Sequence, residues 1–172
     1  IKVTTKFRRQ LTLFVERQNA GIIEKIRQQY NPIQYSLIES HVTLCREDEI
    51  ENIEQIIANL KCLKKMEIII KFKEATRFEN GKGVFLPAEL ENREFDDLRK
   101  QILYGIDDNP KRQEPHITLM HPRNSTCTDK IFNEIKKMNL PTKLDFKTIS
   151  LIEQFNGGKW NVLQDFRIDF TQ

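Results

Sequence analysis

Pro115-His116-Ile117-Thr118-Leu119 decides how this chain is read, and Ser40-His41-Val42-Thr43-Leu44 repeats its pattern. Strand side chains alternate between faces, so His116 and Thr118 point one way while Ile117 and Leu119 point the other. The same parity separates His41 and Thr43 from Val42 and Leu44. Each stretch predicts a half-buried strand with an imidazole and a hydroxyl on its polar face. The 172 residues contain three histidines, and two of them open this pattern. One such histidine is ordinarily a rim residue; two in matched settings form a constellation.

The surroundings of the two motifs also match. In the first half, alternating Leu11, Leu13 and Val15 predict a strand over 9–16. Asn19 caps a helix bearing Ile22, Ile23, Ile26 and Tyr30, which stops before Pro32. The first His strand is expected over 36–46. Glu47, Asp48 and Glu49 suit the start of a helix carrying Ile50, Ile53, Ile57 and Leu60, and Lys61, Lys64 and Lys65 suit its end. Ile68, Ile70 and Phe72 alternate as a strand, and Asn80-Gly81 with Gly83 turns into a partner at 84–86.

In the second half, Phe95, Leu98 and Ile102 mark a helix ending near Gly105. A polar loop over 107–114 leads to the second His strand. Thr128 and Asp129 start a helix with Ile131, Phe132, Ile135 and Met138. A strand region at 144–152 follows Pro141. Its apolar phase slips between Phe146 and Ile149, which predicts a bulge or break. Asn156-Gly157-Gly158 turns into the alternating Trp160, Val162, Phe166, Ile168 and Phe170. Helix, His strand, helix, strand thus occurs twice, which points to an internal duplication with approximate halves 9–88 and 89–172 inside one domain, 1–172. Helices mixed with antiparallel hairpins indicate the α+β class.

Composition narrows the function classes. Hydrophobic residues make up 38% and charged residues 31%, with a net charge of +3. These values suit a water-soluble globular chain and weakly favour a phosphate-bearing partner. No apolar run reaches membrane-spanning length, and 1–6 shows no apolar stretch behind its charges. Cys45, Cys62 and Cys127 are odd in number and lack metal-type spacing, as expected of reduced cytoplasmic thiols. Two histidines offer too few ligands for zinc, although Glu39 and Glu114 flank the motifs. Asn80-Gly81-Lys82-Gly83 reads as a turn and not a phosphate loop, and no strained nucleophile elbow is present.

Two His-Thr faces related by a pseudo-two-fold axis would confront each other across a cleft. That arrangement suits in-line displacement at phosphorus. One imidazole takes a proton from the attacking oxygen while the other protonates the leaving oxygen. Thr43 and Thr118 would donate hydrogen bonds to the non-bridging oxygens. Such chemistry requires no metal and no cofactor.

The paired His-x-Thr motifs and their repeated surroundings resemble the two-histidine (2H) phosphoesterase superfamily. The nearest likeness is its bacterial RNA 2′,3′-cyclic phosphodiesterase and 2′-5′ RNA ligase branch, and it extends over nearly the whole chain. The resemblance implies a bilobal α+β fold of two pseudo-symmetric halves, each with an antiparallel sheet flanked by helices and the cleft between the sheets. It implies hydrolysis of 2′,3′-cyclic phosphates or cleavage and resealing of 2′-5′ bonds. The substrate would be an RNA end or a small nucleotide, handled by a monomer without an obligate protein partner. By analogy His41 is the proton donor, His116 the acceptor, and Thr43 and Thr118 bind phosphate; the donor and acceptor labels are exchangeable.

One departure concerns the arginine that related enzymes often carry five residues after the second histidine. Here that place is His121, and Arg46 holds the corresponding place in the first half. Parity sends both away from the catalytic face, unless the strand ends twist. His121 therefore reads as a rim residue, with Arg46 and Arg123 as phosphate candidates. Phe14, Phe78, Phe85 and Trp160 are candidates to stack on a base, and Lys71 and Lys73 to touch RNA backbone; core packing and solvated charge are the plainer readings. The rival function is a non-catalytic RNA- or nucleotide-binding module that keeps the cleft. A structural interaction protein would leave the duplicated motifs unexplained.

Overall fold

A computed structural model describes residues 6–170. The opening residues 1–5, on which the expectation of no leader rests, and 171–172 lie outside the description. In chain order the elements are β1 (Phe7–Phe14), α1 (Gly21–Tyr30), α2 (Pro32–Leu37), β2 (His41–Cys45), α3 (Ile53–Lys61), β3 (Ile68–Lys71), β4 (Thr76–Arg77), β5 (Val84–Pro87), α4 (Arg93–Ile102), β6 (His116–Met120), α5 (Asp129–Lys136), β7 (Lys143–Phe146), β8 (Thr148–Phe155) and β9 (Asn161–Arg167). None of these helices is long and apolar enough to cross a membrane.

The class is α+β and the strand pairs are antiparallel, but the halves do not each keep a sheet of their own. Seven strands form one sheet in the order β4-β5-β6-β2-β1-β8-β9, while β3 and β7 pair separately. Each flank mixes the halves: β4 and β5 reach β6, and β8 and β9 reach β1. The flanks meet where β2 joins β6, through the single pair Val42 and Ile117. The expected α+β class is therefore present, but a cleft between two separate sheets is not confirmed: the strands on either side of the seam belong to one sheet, stitched at one position.

The phase slip after Phe146 has its cause here. Lys147 separates β7, which pairs with β3, from β8, which pairs with β1, so the chain changes sheets at that residue. The boundaries near the first motif also differ from expectation. Pro32 opens α2, since proline suits the first helical turn, where its missing N–H costs nothing. The 36–46 strand consequently shrinks to 41–45. Glu47–Glu49 is a 3-10 turn and not the start of α3, which Asn52 caps by accepting from the Gln55 N–H. Thr128 caps α5 in the same way through the Ile131 N–H.

The core gathers Leu11 and Leu13, Val42 and Leu44, Ile117 and Leu119 from the sheet's inner face against Ile23, Ile26, Ile56, Phe95, Leu98 and Ile102 from the helices. Arg99 on α4 is inside it at 2% exposure. Its guanidinium donates to both Glu49 carboxylate oxygens (3.1 and 2.6 Å), to the Leu44 carbonyl (2.6 Å) and to the Lys111 carbonyl (2.9 Å). One side chain thereby ties the far end of β2 to the loop that leads into β6. Arg99→Leu removes that tie and leaves a partly buried carboxylate and two carbonyls unpartnered. A loss of about 3–5 kcal/mol in urea unfolding is expected, and Arg99→Lys, lacking the fork, recovers only part of it.

Candidate functional site

Both motifs show the same burial along their strands: half-buried, buried, half-buried, buried, buried. Val42 and Ile117 pair across the seam with their side chains inward, so the four motif positions one residue away face the other side. Counting out from that pair sets His41 across from Thr118 and Thr43 across from His116. The histidines occupy opposite corners of this rectangle. Diagonal positions of a strand pair lie about 7–8 Å apart, enough to hold a phosphate between them. His41, Thr43, His116 and Thr118 all line one cleft of about 170 Å³.

The two rings are fixed in the same way. His41 Nδ1 lies 2.8 Å from the Glu39 carbonyl, and His116 Nδ1 lies 3.0 Å from that of Glu114. A carbonyl oxygen only accepts, so each Nδ1 carries the proton and Nε2 is left for the cleft. Each ring is also backed edge-on by a phenylalanine from the next strand. Ring centroids are 6.0 Å apart for Phe14 and His41 and 5.8 Å for Phe85 and His116, with Phe78 tilted against Phe85 at 4.5 Å. These three aromatics back the two histidine rings and do not line the cleft, whereas Trp160 does. Glu39 and Glu114 contribute backbone oxygens to the rings, and among the described residues no group of three or more His, Cys, Asp or Glu could hold a metal ion.

The cleft is completed by residues the sequence reading did not select: Arg8, Gln10, Arg27, Gln34 and Ile38. Gln10 donates from its amide to Thr12 Oγ (2.9 Å) and, at 3.4 Å, to Thr43 Oγ. Thr43 Oγ acts as acceptor in that contact, and its own proton stays available for donation. Arg27 is 2% exposed and donates to Glu24 (2.6 Å) and to the Ile38 carbonyl (2.6 Å). Its signal was available in the sequence, because a charge four residues after Ile23 interrupts the apolar stripe of α1.

His121 lines the cleft, contrary to strict parity. β6 ends at Met120 and the chain turns at Pro122, so alternation no longer applies at His121. Its Nδ1 accepts the Arg123 N–H (3.1 Å), which places the ring proton on Nε2, the opposite tautomer to the other two. The buried Asn31 holds this turn by accepting the His121 N–H (2.8 Å) and donating to Asn124 (2.9 Å), and Asn124 donates to Gln34 (2.9 Å). Arg123 lines the cleft as well. Arg46 does not. It is exposed and pairs with Asp48 (3.7 Å) and Glu49 (3.9 Å). Lys71 and Lys73 are also away from the cleft.

Burial is the main cause that pushes His41 down to about 4. The Glu39 carbonyl opposes it, and the positive potential of Arg27, His116 and His121 adds to it. His121 is lowered by burial first and then by Arg123, Arg8 and His116. The unfolded chain therefore binds a proton at position 41 at a pH where the folded chain refuses it. That contribution to stability is fully present above about 6.5 and is lost as pH falls towards 4. Unfolding free energy should decline across that window, and His41→Gln should flatten the decline; an unchanged slope would show that burial does not hold this ring neutral.

Several solved structures share the fold. The apo crystal structure of E. coli LigT superposes with a TM-score of 0.67 at 14% identity, covering 96% of this chain and 99% of that one. A LigT complex with NADP+ gives 0.66 at 14%, covering 94% and 97%. A structure described as a phosphoesterase gives 0.64 at 13%, covering 95% and 99%. No curated protein matches the chain in sequence. A family model does, over residues 15–158, and with both motifs inside that span the chain belongs to the 2′-5′ RNA ligase superfamily.

Proposed function

We propose that this member of the superfamily is a metal-independent phosphodiesterase that opens 2′,3′-cyclic phosphates or cleaves 2′-5′ bonds at an RNA end or in a small nucleotide, with 2′-5′ ligation as the reverse step. The observation that carries this reading is the pair of imidazoles in one cleft, each anchored through Nδ1 to the carbonyl two residues back. Anchoring fixes the tautomer and leaves two Nε2 atoms to move protons on either side of a phosphorus. LigT, one of the fold neighbours, has been crystallised with phosphate and with 3′-AMP, which supports a small phosphorylated ligand here too.

In the hydrolytic direction a water attacks phosphorus in line with the departing ribose oxygen. His41, held towards the neutral form by burial, takes the water proton on Nε2, and a bound anionic phosphate raises its basicity. His116 enters this step as the imidazolium, its Nδ1–H still held by the Glu114 carbonyl, and gives its Nε2 proton to the ribose oxygen as the P–O bond breaks. These labels reverse those of the resemblance, and the ligation direction exchanges them again. Thr43, Thr118 and the His121 Nε2–H donate to non-bridging oxygens, while Arg8, Arg27 and Arg123 supply positive potential. The residual question of a pure binding module is settled by turnover. Wild-type protein in EDTA should hydrolyse a nucleoside 2′,3′-cyclic phosphate, and His41→Ala and His116→Ala should each cost about 10²–10⁴-fold in kcat. Full activity in either variant, or RNA binding without any product, would falsify the assignment.

A further inference from the structure

The sheet face that carries the motif side chains continues past β1 onto β8 and β9. Over those strands, beneath α2, lies a second hollow of about 730 Å³, much roomier than the cleft of about 170 Å³. The two spaces share a wall, because Trp160 and Ile38 line both. Phe14, whose ring meets His41, also lines the hollow. Arg8 lines the cleft and not the hollow, and its guanidinium sits 5.4 Å from the Trp160 ring centroid. Arg8 thus sits over the indole, and Trp160, Tyr35 and Phe14 give the hollow its aromatic lining.

The charge balance differs across this wall. The cleft holds Arg8, Arg27 and Arg123, whereas the hollow has Glu16, Glu24, Glu39 and Asp165 against Arg17 and Lys159. Glu24 pairs with Arg27 (2.6 Å), Glu39 with Arg17 (3.6 Å) and Glu16 with Lys147 (3.8 Å), which leaves Asp165 as the carboxylate held by a neutral hydroxyl. Carboxylates accept hydrogen bonds and repel phosphate. The Ser150 hydroxyl donates to Asp165 Oδ1 (2.5 Å), which orients that carboxylate and leaves Oδ2 as an acceptor. A cleft of this size accommodates a phosphate and its ribose but not a base as well, and the adjoining space is aromatic and acidic.

We propose that the hollow is a subsite for the nucleoside attached to the scissile phosphate, taking a base with an exocyclic amino group. Guanine, adenine or cytosine stacks on Trp160 and donates amino hydrogens to Asp165 or a neighbouring carboxylate; uracil has no amino group to offer. A strand continuing past this nucleoside would bring its next phosphate onto acidic ground, so the hollow suits a terminal nucleoside or a mononucleotide. The assignment rests on the phosphodiesterase reading of the cleft.

Trp160 is the chain's one tryptophan, so its fluorescence reports on the shared wall directly. Guanosine, adenosine and cytidine, which carry no phosphate, should quench it saturably in the His41→Ala protein, with uridine about tenfold weaker. In active protein, kcat/KM for guanosine 2′,3′-cyclic phosphate should exceed that for methyl riboside 2′,3′-cyclic phosphate by about tenfold or more. That ratio should fall towards one in Tyr35→Ala and in Asp165→Asn. Absence of saturable quenching, or equal turnover of the nucleoside and base-free substrates, overturns the subsite and leaves the phosphodiesterase reading intact. Quenching in a wild-type protein that turns over neither substrate upholds the subsite and removes that reading.

Discussion

A single strand pair, Val42 with Ile117, is the constraint on which the site depends. Both side chains are fully buried, so register at this seam is held by the core and not by side-chain chemistry in the cleft. A one-residue slip of either strand would turn its histidine and threonine inward and its apolar residues out, an error that burial penalises heavily. The apolar half of each motif therefore selects the geometry of the polar half. Arg99 reinforces it from behind by binding the Leu44 carbonyl and the Lys111 carbonyl from one guanidinium.

The duplicated strands also receive duplicated support. Each histidine uses a carbonyl two residues earlier and an edge-on phenylalanine from the neighbouring strand. What differs lies outside the strands. Arg27 comes from α1, Gln10 from β1, and His121 from the turn after β6. These additions are not duplicated in kind, and two of them, Arg27 and His121, add to the effect of burial at His41, so nearly symmetric strands present an electrostatically asymmetric cleft.

The sequence disclosed what depends on period two. Parity along 41–45 and 116–120 gave the faces of both motif strands, and the slip after Phe146 marked where the chain leaves one sheet for the other. It did not disclose which strands would adjoin. The pairing of β5 with β6 and of β1 with β8 joins segments far apart in the chain, and local pattern holds no record of that. Proline 32 was ambiguous for a local reason, since it can follow a helix or open one, and the second role prevailed. His121 was misplaced because alternation was extended one residue past the end of its strand.

His121 bears most on how the cleft attracts an anion. With His41 and His121 both pushed towards the neutral form, full positive charge in the cleft comes chiefly from Arg8, Arg27 and Arg123. Two of these are partly offset, Arg8 by Glu47 (3.2 Å) and Arg27 by Glu24 (2.6 Å). On the proposed reading, a phosphate would meet these cations together with neutral donors: two threonine hydroxyls and the Nε2–H of His121. Neutral donors bind an anion less tightly than a guanidinium fork, and they also release it more readily. In the proposed reaction, which exchanges a cyclic or internal diester for a more highly charged monoester, weaker holding of the product would favour turnover over accumulation in the cleft. On that reading, arginine in place of His121 would trade release for affinity, and the residue at this turn would tune the balance between grip and exchange.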